Sequence, residues 1–310
     1  MLKKILSSKA FRIIFSLVLI YFAFRKVNMA NLILELAKVP LWFVLFMLVY
    51  MFFSLTISSA RWSILLLKKP TLADFLIFTK ASYLGGFYSL FFPTMVAGDL
   101  MKWLPLLKHY PELSKTKLVG SVLIDRVIGF TAFVIIGLLA LIFGKLLHYQ
   151  FPDMLLWLFS ALALAVTVFY LMVMFFDFEK FFGQFKLLKK IIEIVDLLKN
   201  ENKNKILICL LISIVAEPIW MLPFWFFSLM FGVGLSLVQV YIFVPIVTLI
   251  LVLPISIAGF GARENLFLFF LVPLGFAADK VLLMSTFSGI MGVLTSLIGG
   301  IFLLLPNEKK

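Results

Sequence analysis

Six apolar runs, at 11–24, 41–60, 118–143, 154–176, 206–231 and 281–305, constrain this chain more than any motif. A helix needs about 20 consecutive apolar residues to cross the hydrocarbon core of a bilayer. All but the short first run reach that length. Hydrophobic residues make up 64% of the 310 and charged residues 14%, against roughly 45–50% and about 25% in soluble domains. No water-soluble globule of this size buries so much apolar side chain. The expected fold is an all-α polytopic membrane protein, with 1–310 forming a single integral membrane domain.

Two further apolar stretches are interrupted. Residues 75–101 contain Gly85, Gly86, Pro93 and Gly98, and residues 236–276 contain Pro245, Pro254, Gly259, Gly261 and Pro273. Gly and Pro in such numbers break a helix. Charge decides how these stretches run. If both are re-entrant hairpins and the N-terminus is cytoplasmic, 21 cations lie inside and 5 outside, with Arg126 and Arg263 left at the apolar layer. Full crossings would carry the Lys-rich loops outward, so the positive-inside rule prefers hairpins. The first run follows Lys3, Lys4, Lys9 and Arg12 like a signal peptide. Arg25 and Lys26 follow it without a small-x-small cleavage site, which predicts an uncleaved span.

The hairpins share a pattern. Pro93-x3-Ala97-Gly98-x3-Lys102 matches Pro254-x3-Ala258-Gly259-x3-Arg263 at a constant offset of 161. The offset predicts two repeats, about 41–143 and 206–305, each reading span, broken hairpin, span. Under the charge topology the first enters from the cytoplasm and the second from outside. Inverted repeats of this kind build secondary transporters. Between them, 177–205 carries Phe178, Phe181, Phe182, Phe185, Leu188, Ile192, Val195 and Leu198 at helical spacing, interleaved with lysines. It predicts a cytoplasmic amphipathic helix, lying on the anionic leaflet or docked on the bundle or a partner.

Little points to metal, cofactor or nucleic-acid chemistry. Cys209 is the single cysteine and lies in an apolar run; His109 and His148 fall in linkers. There is no P-loop. The basic excess is mostly lysine between apolar runs, where topogenic charge belongs, so no nucleic acid is implied.

Only five arginines occur: Arg12, Arg25, Arg61, Arg126 and Arg263. An ionisable side chain at membrane depth costs roughly 2.5–3.5 kcal/mol on insertion scales and by default marks function. Arg263-Glu264 follows Gly259 and Gly261, which let the backbone approach a ligand closely. A half-helix starting there turns its N–H groups toward an anion. Arg263 is therefore the candidate lipid-phosphate clamp and Glu264 its orienting partner; the competing reading is an internal ion pair. Asp99 and Lys102 occupy the equivalent place in the first hairpin, either as a charged site facing Arg263 or as interfacial charge with Lys102 snorkelling. Asp125 and Arg126 point about 100° apart on their helix, so each needs a partner elsewhere. Glu217, before Pro218, is expected to pair with Arg126 or Arg263, or to take up a proton. Arg61, before Trp62, is expected to snorkel to headgroups at a span end.

Three segments together resemble the lysylphosphatidylglycerol synthase transmembrane family, the flippase-like domain of the bacterial multiple-peptide-resistance lipid proteins. They are Ser121-Val-Leu-Ile-Asp125-Arg126-Val-Ile-Gly129, Phe92-Pro93…Gly98-Asp99…Lys102, and Leu253-Pro254-Ile-Ser256…Gly259-x-Gly261-x-Arg263-Glu264. The resemblance covers nearly the whole chain and implies an inner-membrane protein that moves phospholipids or lipid-linked molecules between leaflets. Full-length synthases add a soluble aminoacyltransferase domain; this chain is expected to be a stand-alone member without it. Lys102 stands where related sequences commonly have Arg.

The expected function is a lipid translocase without its own ATPase, not an enzyme, in the bacterial inner membrane. Its partners would be membrane lipids, with a homo-oligomer or a separate lipid-modifying enzyme as further options. The substrate-binding candidates are Arg263, Glu264, Gly259, Gly261, Arg126, Asp125, Asp99 and Lys102. One rival is a membrane-embedded transferase acting on a lipid phosphate near Asp153 and His148. The other is a scaffold that holds a partner enzyme through 177–205.

Overall fold

The computed structural model describes residues 29–91, 98, 100–149, 151–176, 192–195, 203–253 and 259–304, together with Tyr21, Lys180 and Lys199. The expected first span, apart from Tyr21, most of 177–205, and Asp99 lie outside the described residues. Among the described residues every regular element is helical. The helices are α1 (Met29–Ala37), α2 (Leu41–Leu66), α3 (Leu72–Ser89), α4 (Leu106–His109), α5 (Lys115–Leu146), α6 (Asp153–Phe175), α7 (Lys203–Met230), α8 (Leu237–Leu251), α9 (Ala262–Leu271) and α10 (Ala278–Leu304). A 3-10 turn, Leu100–Trp103, precedes α4.

Five of these helices, α2, α5, α6, α7 and α10, are long and apolar enough to cross a membrane. All five correspond to expected spans, and α2 runs past its expected end so that it carries Arg61 and Trp62 inside the helix. On α6, Trp157, Leu164 and Phe175 are exposed, as befits a helix whose neighbour is lipid. The interior is lined by Phe43, Phe227, Phe243, Phe267 and Phe287, which belong to one apolar core. Phe227 and Phe287 meet edge-to-face at 5.1 Å.

The broken stretches fold differently from expectation at three points. Gly85 and Gly86 do not interrupt α3, which runs on to Ser89. Glycine lowers helix propensity, but packing decides most helix stability in a folded chain. Here α3 lies against α10 so closely that a Cβ on Gly299 would sit 2.0 Å from the Tyr83 carbonyl oxygen. Pro245 likewise stays inside α8. Instead α3 ends at Ser89, before a turn at Leu90 and Phe91, and α8 ends at Leu251, before a turn and bend at Val252 and Leu253; Pro93 and Pro254 lie outside the described residues. Both prolines of α7, Pro218 and Pro223, lie within one continuous helix.

Adding 161 to the bounds of α2, α3 and α5 gives 202–227, 233–250 and 276–307; α7, α8 and α10 span 203–230, 237–251 and 278–304. The packing follows the same exchange. The most extensive contacts are α3 with α10, α5 with α8, and α2 with α7. Exchanging halves turns the first pair into the second and the third into itself. The α2–α3 contact corresponds to α7–α8, α2–α5 to α7–α10, and the turn on α5 to α9 on α10.

Of the linker 177–205, Ile192 is buried, and Val195 packs on the cluster of Leu65, Ile124, Ile128 and Cys209. These two residues therefore face the bundle.

Candidate functional site

Two buried polar clusters lie among the apolar helices. The first joins α2, α5, α7 and the turn after α3. Arg61 Nε donates to Asp125 Oδ1 at 2.8 Å, and its Nη1 donates to Glu217 Oε1 and Ser213 Oγ, each at 2.8 Å. Lys102 Nζ donates to Asp125 Oδ2 at 3.1 Å. Arg61, Lys102, Asp125 and Glu217 are all between 4% and 7% exposed. Such burial costs several kcal/mol per ion unless the charges are paired and hydrogen-bonded. Two cations and two carboxylates meet that condition by sharing partners.

The surroundings hold this arrangement. Gly129 keeps α5 slim where the network passes: a Cβ there would stand 3.3 Å from Glu217 Oε1 and 3.5 Å from Arg61 Nη2. Lys102 Nζ lies 4.5 Å from the Trp62 ring centroid, a cation–π geometry. Trp62 is fully buried, and its Nε1 donates to Ser121 Oγ at 3.0 Å. Trp62, Phe78, Leu106, Tyr110 and Leu118 form an apolar cluster that holds α4 and Tyr110 against α2, α3 and α5.

The second cluster sits at the start of α9. Gly259 and Gly261 adopt φ of 79° and 78°, the left-handed region that glycine enters without a steric penalty. Gly261 N–H donates to Glu264 Oε2 at 2.6 Å, so Glu264 caps the helix that carries it. Arg263 N–H donates to the Gly259 carbonyl at 2.9 Å. The Arg263 guanidinium carbon lies 5.6 Å from the Phe260 ring centroid. Arg263 is 7% exposed and Glu264 fully buried.

The expected site residues thus divide. Asp125 and Lys102 meet in the first cluster; Arg263, Glu264, Gly259 and Gly261 form the second. Lys102 does not snorkel, because Asp125 neutralises it inside the bundle. Arg61 does not reach for headgroups either. Its helix continues five residues beyond it, which places it at the centre of the network. Glu217 takes Arg61 as its partner, not Arg126 or Arg263. Arg126, half-buried, points away from Asp125 as adjacent helical residues must. Glu264, expected to orient Arg263, spends one oxygen on its own helix terminus. Asp153 lies 3.3 Å from Lys145 in an exposed pair, and among the described residues no group of three His, Cys, Asp or Glu is placed to hold a metal. Sequence reasoning missed Ser213 and the central role of Arg61. The signal was the apolar Ile64-Leu65-Leu66-Leu67 after Arg61, which extends the span past it.

Apolar helices enclosing neutralised charge define a polytopic membrane protein with a polar interior. The chain belongs to the lysylphosphatidylglycerol synthase TM region family, which matches residues 9–300. The family points to a membrane-lipid function. No curated protein and no solved structure matches the chain.

Proposed function

We propose that this protein moves a phospholipid or lipid-linked phosphate between the leaflets of the bacterial inner membrane, with no ATPase of its own and no bond-making step. One observation carries the reading: each half brings a buried cation, Lys102 or Arg263, into an apolar bundle on a broken helical segment. An anchor has no use for charge so placed, whereas a headgroup crossing hydrocarbon needs it. The two halves would enter from opposite sides, with the N-terminus cytoplasmic. Arg263 would neutralise the headgroup phosphate, and Gly259, Gly261 and Glu264 would hold the half-helix that presents it. The Arg61–Asp125–Glu217–Lys102 network would fix the segment that carries Lys102.

The test is leaflet exchange in proteoliposomes. Headgroup-labelled phospholipid should become accessible to a membrane-impermeant quencher beyond the half exposed in empty vesicles. Accessibility equal to that of empty vesicles, from folded protein and across phospholipid and lipid-linked phosphate probes, sinks the proposal.

A further inference from the structure

The helix α7 runs from the first cluster to the helix that carries the second, and its hydrogen-bond ladder is broken on the way. Pro218 and Pro223 lie inside it. Proline has no N–H, so each leaves the carbonyl four residues earlier without its helical donor and favours a bend there. For Pro223 that carbonyl belongs to Ile219, and another helix supplies the missing donor: Tyr50 Oη of α2 donates to it at 2.9 Å. The Tyr50 ring also meets Phe226, beyond Pro223, edge-to-face at 6.3 Å. The two parts of α7 have different attachments. Before the prolines, Ser213 and Glu217 accept from Arg61. Beyond them, Phe224 packs on Phe267 with 5.7 Å between ring centroids, and Phe267 belongs to α9, whose first turn holds Arg263 and Glu264. The corresponding helix of the other half has no such break. No proline occurs within α2, and the offset of 161 places Ile57 and Trp62 where α7 has Pro218 and Pro223.

We infer that α7 is a hinged lever and that Tyr50 is the clasp on its hinge. With the phenol on the Ile219 carbonyl, the two parts of α7 are held at one angle. A single neutral hydrogen bond opens more readily than the charge-assisted bonds of Arg61, so the end that moves is the one beyond Pro223. When the clasp opens, that part tilts and carries Phe224, and with it α9, while Glu217 stays on Arg61. The two charge clusters thereby shift relative to each other. That this motion serves the passage of a headgroup rests on the translocator reading; the hinge and its clasp do not.

The experiment is amide hydrogen exchange of the full chain in lipid nanodiscs, followed by mass spectrometry, on wild type, Tyr50→Phe, Pro223→Ala and the double variant. Tyr50→Phe should speed deuterium uptake in peptides covering 219–227 roughly fivefold, as loss of one neutral hydrogen bond does, and leave 203–213 unchanged. Pro223→Ala restores the N–H that Ile219 lacks and should slow uptake in the same peptides. In that background Tyr50→Phe should have little further effect, because the carbonyl has its helical donor again. If Pro223→Ala does not purify folded, Pro223→Leu supplies the same N–H. Unchanged uptake in Tyr50→Phe overturns the inference, as does uptake raised equally along all of α7, which would mark general loosening. So does an equal effect of Tyr50→Phe with and without Pro223. Leaflet exchange of labelled phospholipid is read on the same proteins, and Pro223→Ala should slow it several-fold. Exchange at the wild-type rate in Pro223→Ala contradicts the lever and leaves translocation standing. Absence of exchange in every protein, with the uptake pattern as expected, sinks translocation and leaves the hinge.

Discussion

Asp125 serves two cations at once, Arg61 through one oxygen and Lys102 through the other. Asp125→Asn leaves that positive charge under-compensated in an apolar bundle, and the expected loss of stability is about 3–5 kcal/mol, readable as a lowered unfolding midpoint in detergent. The exposed Lys145–Asp153 pair makes the contrast: Lys145→Ala should change stability by about 0–1 kcal/mol. Tyr110 gives a pH handle outside the spans. Its phenol donates to Asp74 Oδ1, and burial, then the Asp74 carboxylate, raises its pKa above the ordinary 10.0. The folded protein keeps this proton where the unfolded chain releases it. The contact therefore stabilises fully below about pH 10 and is lost as pH rises toward the higher folded value. Tyr110→Phe should flatten the alkaline decline in melting temperature. Asp125 was readable as an interior charge from its place in an apolar run. Arg61 was not, because a basic residue near the end of such a run looks interfacial until the helix is known to continue.

At the scale of elements, the interruptions were legible as existing and misplaced in detail. Pro93 and Pro254 lie outside the described residues, whereas Gly85, Gly86 and Pro245 lie inside helices. Composition counts breakers; it does not count the neighbour that overrides them. For α3 that neighbour is α10, met at Gly299. Gly299→Ala places a methyl carbon against the α3 backbone, which has no rotamer to move. Overpacking of this kind costs about 1–3 kcal/mol, and the melting temperature in detergent should fall accordingly. Gly292, with nothing near its Cβ position, is the control: Gly292→Ala should leave it unchanged or slightly raised.

Across the whole molecule, the bounds of α2, α3 and α5 moved on by 161 fall near those of α7, α8 and α10. With Cys209→Ser as background, Lys145→Cys should react with a membrane-impermeant maleimide in intact cells and Lys69→Cys only after permeabilisation; the reverse pattern would invert the topology. The central claim is that Arg263 handles a lipid phosphate. Arg263→Ala protein, matched to wild type in folding and vesicle incorporation, should lose leaflet exchange of labelled phospholipid down to the rate of empty vesicles. Exchange at the wild-type rate would contradict the account.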